Sequence, residues 1–145
     1  MYSNMYNNVN TAGFNADISR WDVSSVTNMQ YMFNYARSFN RDISNWDVSS
    51  VTNMNYMFQN AYNFDGDLSN WNTANTWSSA NARYNAYGMF NGATAWQNKY
   101  AYRGVGYNSD GPPEDWCLND RSRCAFPRNG NILKVAVADC LNANP

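Results

Sequence analysis

Residues 14–38, FNADISRWDVSSVTNMQYMFNYARS, and residues 39–63, FNRDISNWDVSSVTNMNYMFQNAYN, are nearly the same sequence, joined without a gap. The period is 25 residues. A third copy opens at Phe64 as FDGDLSNWNTANTW and then departs, with about seven extra residues before Met89-Phe90. A repeat of this length is one small structural unit that cannot bury its own apolar face; it gains a core only by stacking on its neighbours. An Asp or Trp that recurs with the period is therefore first a part of the scaffold.

Spacing within the repeat predicts what each unit builds. Ile18-x-x-Trp21-x-Val23 and Ile43-x-x-Trp46-x-Val48 have the L-x-x-L-x-L spacing of a leucine-rich-repeat strand. Alternation puts Trp and Val on one face of that strand. Ser24-Ser25 then precedes an apolar run at Val26, Met29, Phe33 and Ala36, repeated at Val51, Met54, Phe58 and Ala61. A hydroxyl residue before such spacing predicts a capped short helix. The predicted fold class is α/β: a short leucine-rich-repeat-like solenoid with one strand and one short helix per 25-residue turn. Phe14, Phe39 and Phe64 should form one column and Trp21, Trp46 and Trp71 another, with Met29 and Met54 filling the gap between sheet and helices.

The motif F-N-x-D-I-S-x-W-D-V-S-S-V-T-N-M-x-x-M-F resembles the BspA-like surface-protein repeat, a relative of the leucine-rich repeats. The resemblance covers roughly residues 1–96. It implies an adhesive or otherwise surface-exposed protein of the kind found among bacterial lipoproteins and algal surface proteins. The tail from Cys124 to Leu141 is similar to the short helical segment that often precedes such a block.

The organisation that follows is a partial repeat at 1–13, repeats at 14–38 and 39–63, and a third with its insertion at 64–93. An aromatic and Gly-rich elaboration spans 94–121, and a Cys-containing helical segment spans 122–145. The opening residues, MYSNMYNNVN, resemble the second half of a repeat, so the chain reads as continuing from something longer.

Composition excludes several function classes. Net charge is −1 and only 14% of residues are charged, which leaves no basic surface for nucleic acid. No stretch is long and apolar enough to predict a membrane span. There is no His, so Ser-His-Asp and Cys-His arrangements are impossible, and no Gly-rich phosphate loop occurs. Neither an enzyme nor a cofactor is expected. Asn makes up 26 of the 145 residues while Leu is scarce, a bias that suits ladders between stacked turns better than an enzyme core. No Asn is followed two residues later by Ser or Thr, so no N-glycosylation acceptor exists.

Three groups of residues admit a sharper reading. Asp17, Asp42 and Asp67 align in a column that could bind calcium; the plainer reading is that each caps backbone amides at a turn. Cys117, Cys124 and Cys140 read as one disulfide and one unpaired thiol in an extracellular setting, with the pairing open. Trp77, Tyr84, Tyr87, Trp96, Tyr100, Tyr102 and Tyr107 read as a covering loop, a subunit contact or a glycan platform.

The expected function is a non-enzymatic extracellular or cell-surface structural protein, a subunit stacking head to tail with copies of itself or with adjacent repeat blocks into a filament. The alternative is an adhesion or carbohydrate-binding module of a larger surface protein, contacting glycans or matrix proteins.

Overall fold

Amides from one copy of the repeat donate to carbonyls of the next. In the computed structural model, which describes residues 12–77, 85–102 and 116–118, Met29, Tyr31, Phe33 and Tyr35 donate to Asn53, Asn55, Met57 and Gln59 at 2.8–3.0 Å. Met54, Tyr56, Phe58 and Asn60 then donate to Asn85, Tyr87, Met89 and Asn91 at 2.6–2.9 Å. Among the described residues, three coils thus lie one on another. Equivalent side chains are 25 residues apart between the first two coils and 32 apart between the last two. The added length falls between Trp77 and Asn85, and the cross-coil register resumes after it.

The coils are not the strand-and-helix turns that the spacing predicts, and the expectation of an α/β leucine-rich-repeat-like solenoid is overturned. From Ala12 to Thr73 there is no helix and no strand, only an isolated parallel bridge between Asn28 and Asn53. Regular elements come later: α1 (Ala74–Trp77), α2 (Thr94–Lys99), β1 (Tyr100–Tyr102) and β2 (Trp116–Leu118). The two strands pair antiparallel, with Ala101 opposite Cys117.

Backbone conformation explains why the helix fails. Tyr31 and Tyr35 have φ of 60° and 58°, and Tyr56 and Asn60 have 55° and 57°. A left-handed residue every fourth position cannot belong to a right-handed helix. The segment is instead a run of overlapping tight turns, closed by Met32 N–H to Met29 O, Asn34 N–H to Tyr31 O and Ala36 N–H to Phe33 O. These turns bring Met29, Phe33 and Ala36 to the interior at the spacing a helix would have used.

The strand fails for a different reason. Asp17 accepts the Ser19 amide at 3.0 Å and Asp22 accepts the Ser24 amide at 3.1 Å, so the chain bends at each Asp-x-Ser. Trp21 N–H to Ile18 O and Val26 N–H to Val23 O close further turns. Side chains bridge the coils here: the Trp46 indole donates to Ile18 O at 3.1 Å and the Trp71 indole to Ile43 O at 2.9 Å.

The core is a set of aromatic columns. Phe14, Phe39, Phe64 and Trp96 stack at centroid separations of 5.7, 5.9 and 5.9 Å. Phe33, Phe58 and Phe90 stack at 5.3 and 5.6 Å, and the two columns interleave at 3.9–4.1 Å. Trp21, Trp46 and Trp71 stack at 6.5 Å per step. Each such pair contributes about 0.5–1.5 kcal/mol beyond area burial. Met29 and Met54 lie fully buried beside them.

Candidate functional site

Polar side chains carry the coil repeat to the surface without forming a reactive cluster. Asn40 accepts the Asp65 amide at 3.2 Å and donates its side-chain amide to the Asp65 carboxylate at 2.8 Å, while its own backbone amide donates to Asn15 at 3.1 Å. Asn34 donates to Gln59 at 2.7 Å, and Thr76 donates its hydroxyl to Val51 O at 2.8 Å. These bonds set register. Among the described residues no group of His, Cys, Asp or Glu is placed to hold a metal ion.

Asp17, Asp42 and Asp67 each accept the amide two residues on, at 3.0, 2.9 and 2.9 Å. Their exposed carboxylates do what turn-capping Asp residues do. The Ser19 amide and then its hydroxyl hold Asp17 below the usual carboxylate range, and the Ser44 amide and hydroxyl do the same for Asp42. At Asp22 and Asp47 the hydroxyls of Ser24 and Ser49 lead, followed by their amides.

The aromatic residues singled out in the sequence separate into three groups. Trp96 and Tyr100 are buried inside the chain and present no contact surface, which corrects their reading as interface or glycan residues. The reason is register: Trp96 takes the column position of Phe39 and Phe64, and Tyr100 closes on it at 4.2 Å with a 38° tilt. Tyr87 is 45% exposed and meets the Tyr56 ring edge-on at 5.4 Å. Burial raises the Tyr56 phenol above its ordinary value, with the phenols of Tyr87 and Tyr31 adding to the effect. Trp77 ends α1 and Tyr102 ends β1. Tyr84 and Tyr107 lie outside the described residues, as do Cys124 and Cys140; Cys117 is in β2.

Two exposed rings escaped the sequence reading, Tyr35 and Tyr62, with the Arg37 guanidinium 5.3 Å from the centre of the Tyr62 ring. Tyr35 could have been found by aligning Met32-Phe33 with Met89-Phe90. That alignment puts Gly92 at the Tyr35 position and marks a left-handed backbone that aims its side chain off the core.

The first coil holds the candidate site. Trp46 is 3% exposed and Trp71 is fully buried, yet Trp21, the first ring of their column, is 47% exposed. One face of Trp21 stacks on Trp46, and its indole N–H donates to no described residue, whereas the Trp46 and Trp71 indoles each donate to the preceding coil. Phe14 and Val26, packed against the core, are also only partly buried. Trp21 thus ends the tryptophan column among the described residues, stacked on Trp46 and about half exposed.

A protein-family model described as Mycoplasma protein of unknown function, DUF285, matches residues 1–102. No curated protein and no solved structure matches the chain.

Proposed function

The chain belongs to the family described as Mycoplasma protein of unknown function, DUF285, and from that premise we propose a non-enzymatic structural role. The protein is a BspA-like surface-repeat subunit, extracellular or at the cell surface, that associates end to end with copies of itself or with neighbouring repeat blocks. The observation that carries this reading is Trp21, a stacking ring left half exposed where its two column mates are enclosed. Contacts between coils are made by stacking and by backbone hydrogen bonds that any further coil of the same kind can repeat. Negative-stain electron microscopy of the purified chain tests it: filaments are expected, and they should shorten or vanish for Trp21→Ser. Uniform single particles at all concentrations would refute it.

A second reading, an adhesion or carbohydrate-binding module, is supported by the exposed rings of Tyr35, Tyr62 and Tyr87. Its test is glycan binding by the wild type against Tyr35→Ala, Tyr62→Ala and Tyr87→Ala. Binding that survives all three changes removes these rings as the site.

A further inference from the structure

Three tyrosines, one from each coil, form a chain of ring contacts. Tyr31 and Tyr56 hold the same place in consecutive coils, with left-handed φ of 60° and 55°. Their rings stack at 5.0 Å and 5° from parallel. Backbone bonds fix the coils at this point: Tyr31 N–H donates to Asn55 O at 3.0 Å and Tyr56 N–H to Tyr87 O at 2.9 Å. The third place in the column falls to Gly88, where a Cβ would lie 2.7 Å from the Tyr56 ring. Tyr87, next in the chain, meets Tyr56 at 5.4 Å with the ring planes 87° apart. Tyr31 and Tyr56 are half-buried, whereas Tyr87 is 45% exposed.

We infer that this cluster is a site of oxidative tyrosine coupling, in which hydrogen peroxide, acting through a haem peroxidase, joins Tyr31 to Tyr56 as dityrosine and so staples the first coil to the second. The oxidised haem takes one electron from a phenol, whose proton passes to water, and a neutral phenoxyl radical remains. Tyr87 is the ring of the three that an oxidant reaches best. An electron and a proton from Tyr56 restore the Tyr87 phenol, and the same transfer from Tyr31 carries the radical one coil further. A second oxidation by this route supplies the radical on Tyr56. One ortho carbon of each ring then bonds to the other, the two ortho hydrogens move to the phenol oxygens, and both rings regain aromaticity. In sum, two phenols and one peroxide give one dityrosine and two waters. Stacked faces suit the bond, because the unpaired spin of a phenoxyl radical lies in orbitals normal to the ring. Contact within one chain makes the coupling unimolecular, whereas two chains must first meet by diffusion.

Peroxidase treatment of the dilute, full 145-residue chain tests this. Equal parts of isotopically heavy and light protein are treated with peroxide and a haem peroxidase, digested, and mapped by mass spectrometry. A Tyr31–Tyr56 crosslink is expected, two hydrogens lighter than the sum of its peptides and confined to heavy–heavy and light–light pairs. Tyr31→Phe and Tyr56→Phe should each abolish it; Phe keeps the stacked ring, so circular dichroism should not change. Tyr87→Phe should slow the coupling several-fold, whereas Tyr35→Phe, at a comparably exposed ring outside the cluster, should leave its rate unchanged. An unchanged rate for Tyr87→Phe would overturn the route through Tyr87. Dityrosine found only in heavy–light pairs, or only between tyrosines outside the cluster, would overturn the coupling site, as would its absence under conditions that couple free tyrosine.

Discussion

Truncating the tryptophan column one ring at a time should give very unequal costs. Trp46 is 3% exposed, stacked at 6.5 Å on both Trp21 and Trp71, and bonded to Ile18 O at 3.1 Å. Trp46→Ala therefore removes a fully packed ring and should cost about 3–5 kcal/mol. Trp46→Phe keeps a ring but removes the indole bond to the Ile18 carbonyl, which still accepts the Trp21 amide, so the loss is roughly 0.5–1.5 kcal/mol. Trp21 is about half exposed, makes one stacking contact within the column and donates to no described residue. Full burial of a large apolar side chain contributes about 1.5–3 kcal/mol, so half of that, ~1–1.5 kcal/mol, is at stake in Trp21→Ala. Urea unfolding of dilute protein, followed by far-ultraviolet circular dichroism, measures all three. Equal losses for Trp21→Ala and Trp46→Ala, or no loss for Trp46→Phe, would refute the stacking and hydrogen-bond assignment.

Three further outcomes follow from the coil geometry. Gly88 has φ of 60°, and a Cβ there would lie 2.7 Å from the Tyr56 ring; Gly88→Ala should cost at least ~1–2 kcal/mol for the left-handed backbone alone, whereas Gly13→Ala, with open space around it, should leave the midpoint unchanged. Asn40→Ala removes both side-chain bonds to Asp65 in the next coil and leaves the backbone amide bond to Asn15 in place, and about 1 kcal/mol of destabilisation in thermal melts is expected. Ser19, Ser24, Ser44 and Ser49 hold the carboxylates of Asp17, Asp22, Asp42 and Asp47 below their ordinary range. Stability from these turns is thus complete above the unfolded carboxylate pKa of about 3.9 and lost as pH falls through the lower folded values. Denaturation midpoints should hold from neutral pH down to about 5 and drop below about 4, and a midpoint that rises on acidification would contradict the sign.

The period was plain in the sequence because Phe, Trp, Met and Asn recur together, and the columns they form follow from stacking alone. Local conformation was hidden. Val26, Met29, Phe33 and Ala36 have spacing that suits a helix, yet overlapping turns bury Met29, Phe33 and Ala36 equally well. The residues that decide between these, Tyr31, Tyr35 and Tyr56, do not advertise a positive φ; only Gly88 and Gly92 in the third coil do. The same insertion that obscured those glycines hid Trp96, which lies six residues after Phe90 as Phe39 lies six after Phe33. The half-exposed edge at Trp21 was not legible at all, since it depends on which neighbours the third dimension supplies.

Self-association through that edge is the central claim, and sedimentation velocity over a wide concentration series reads it most directly. The weight-average sedimentation coefficient is expected to keep climbing with concentration and reach no plateau, with the curve for Trp21→Ser displaced to higher concentration. A single monomer boundary throughout, unchanged by Trp21→Ser, would contradict it.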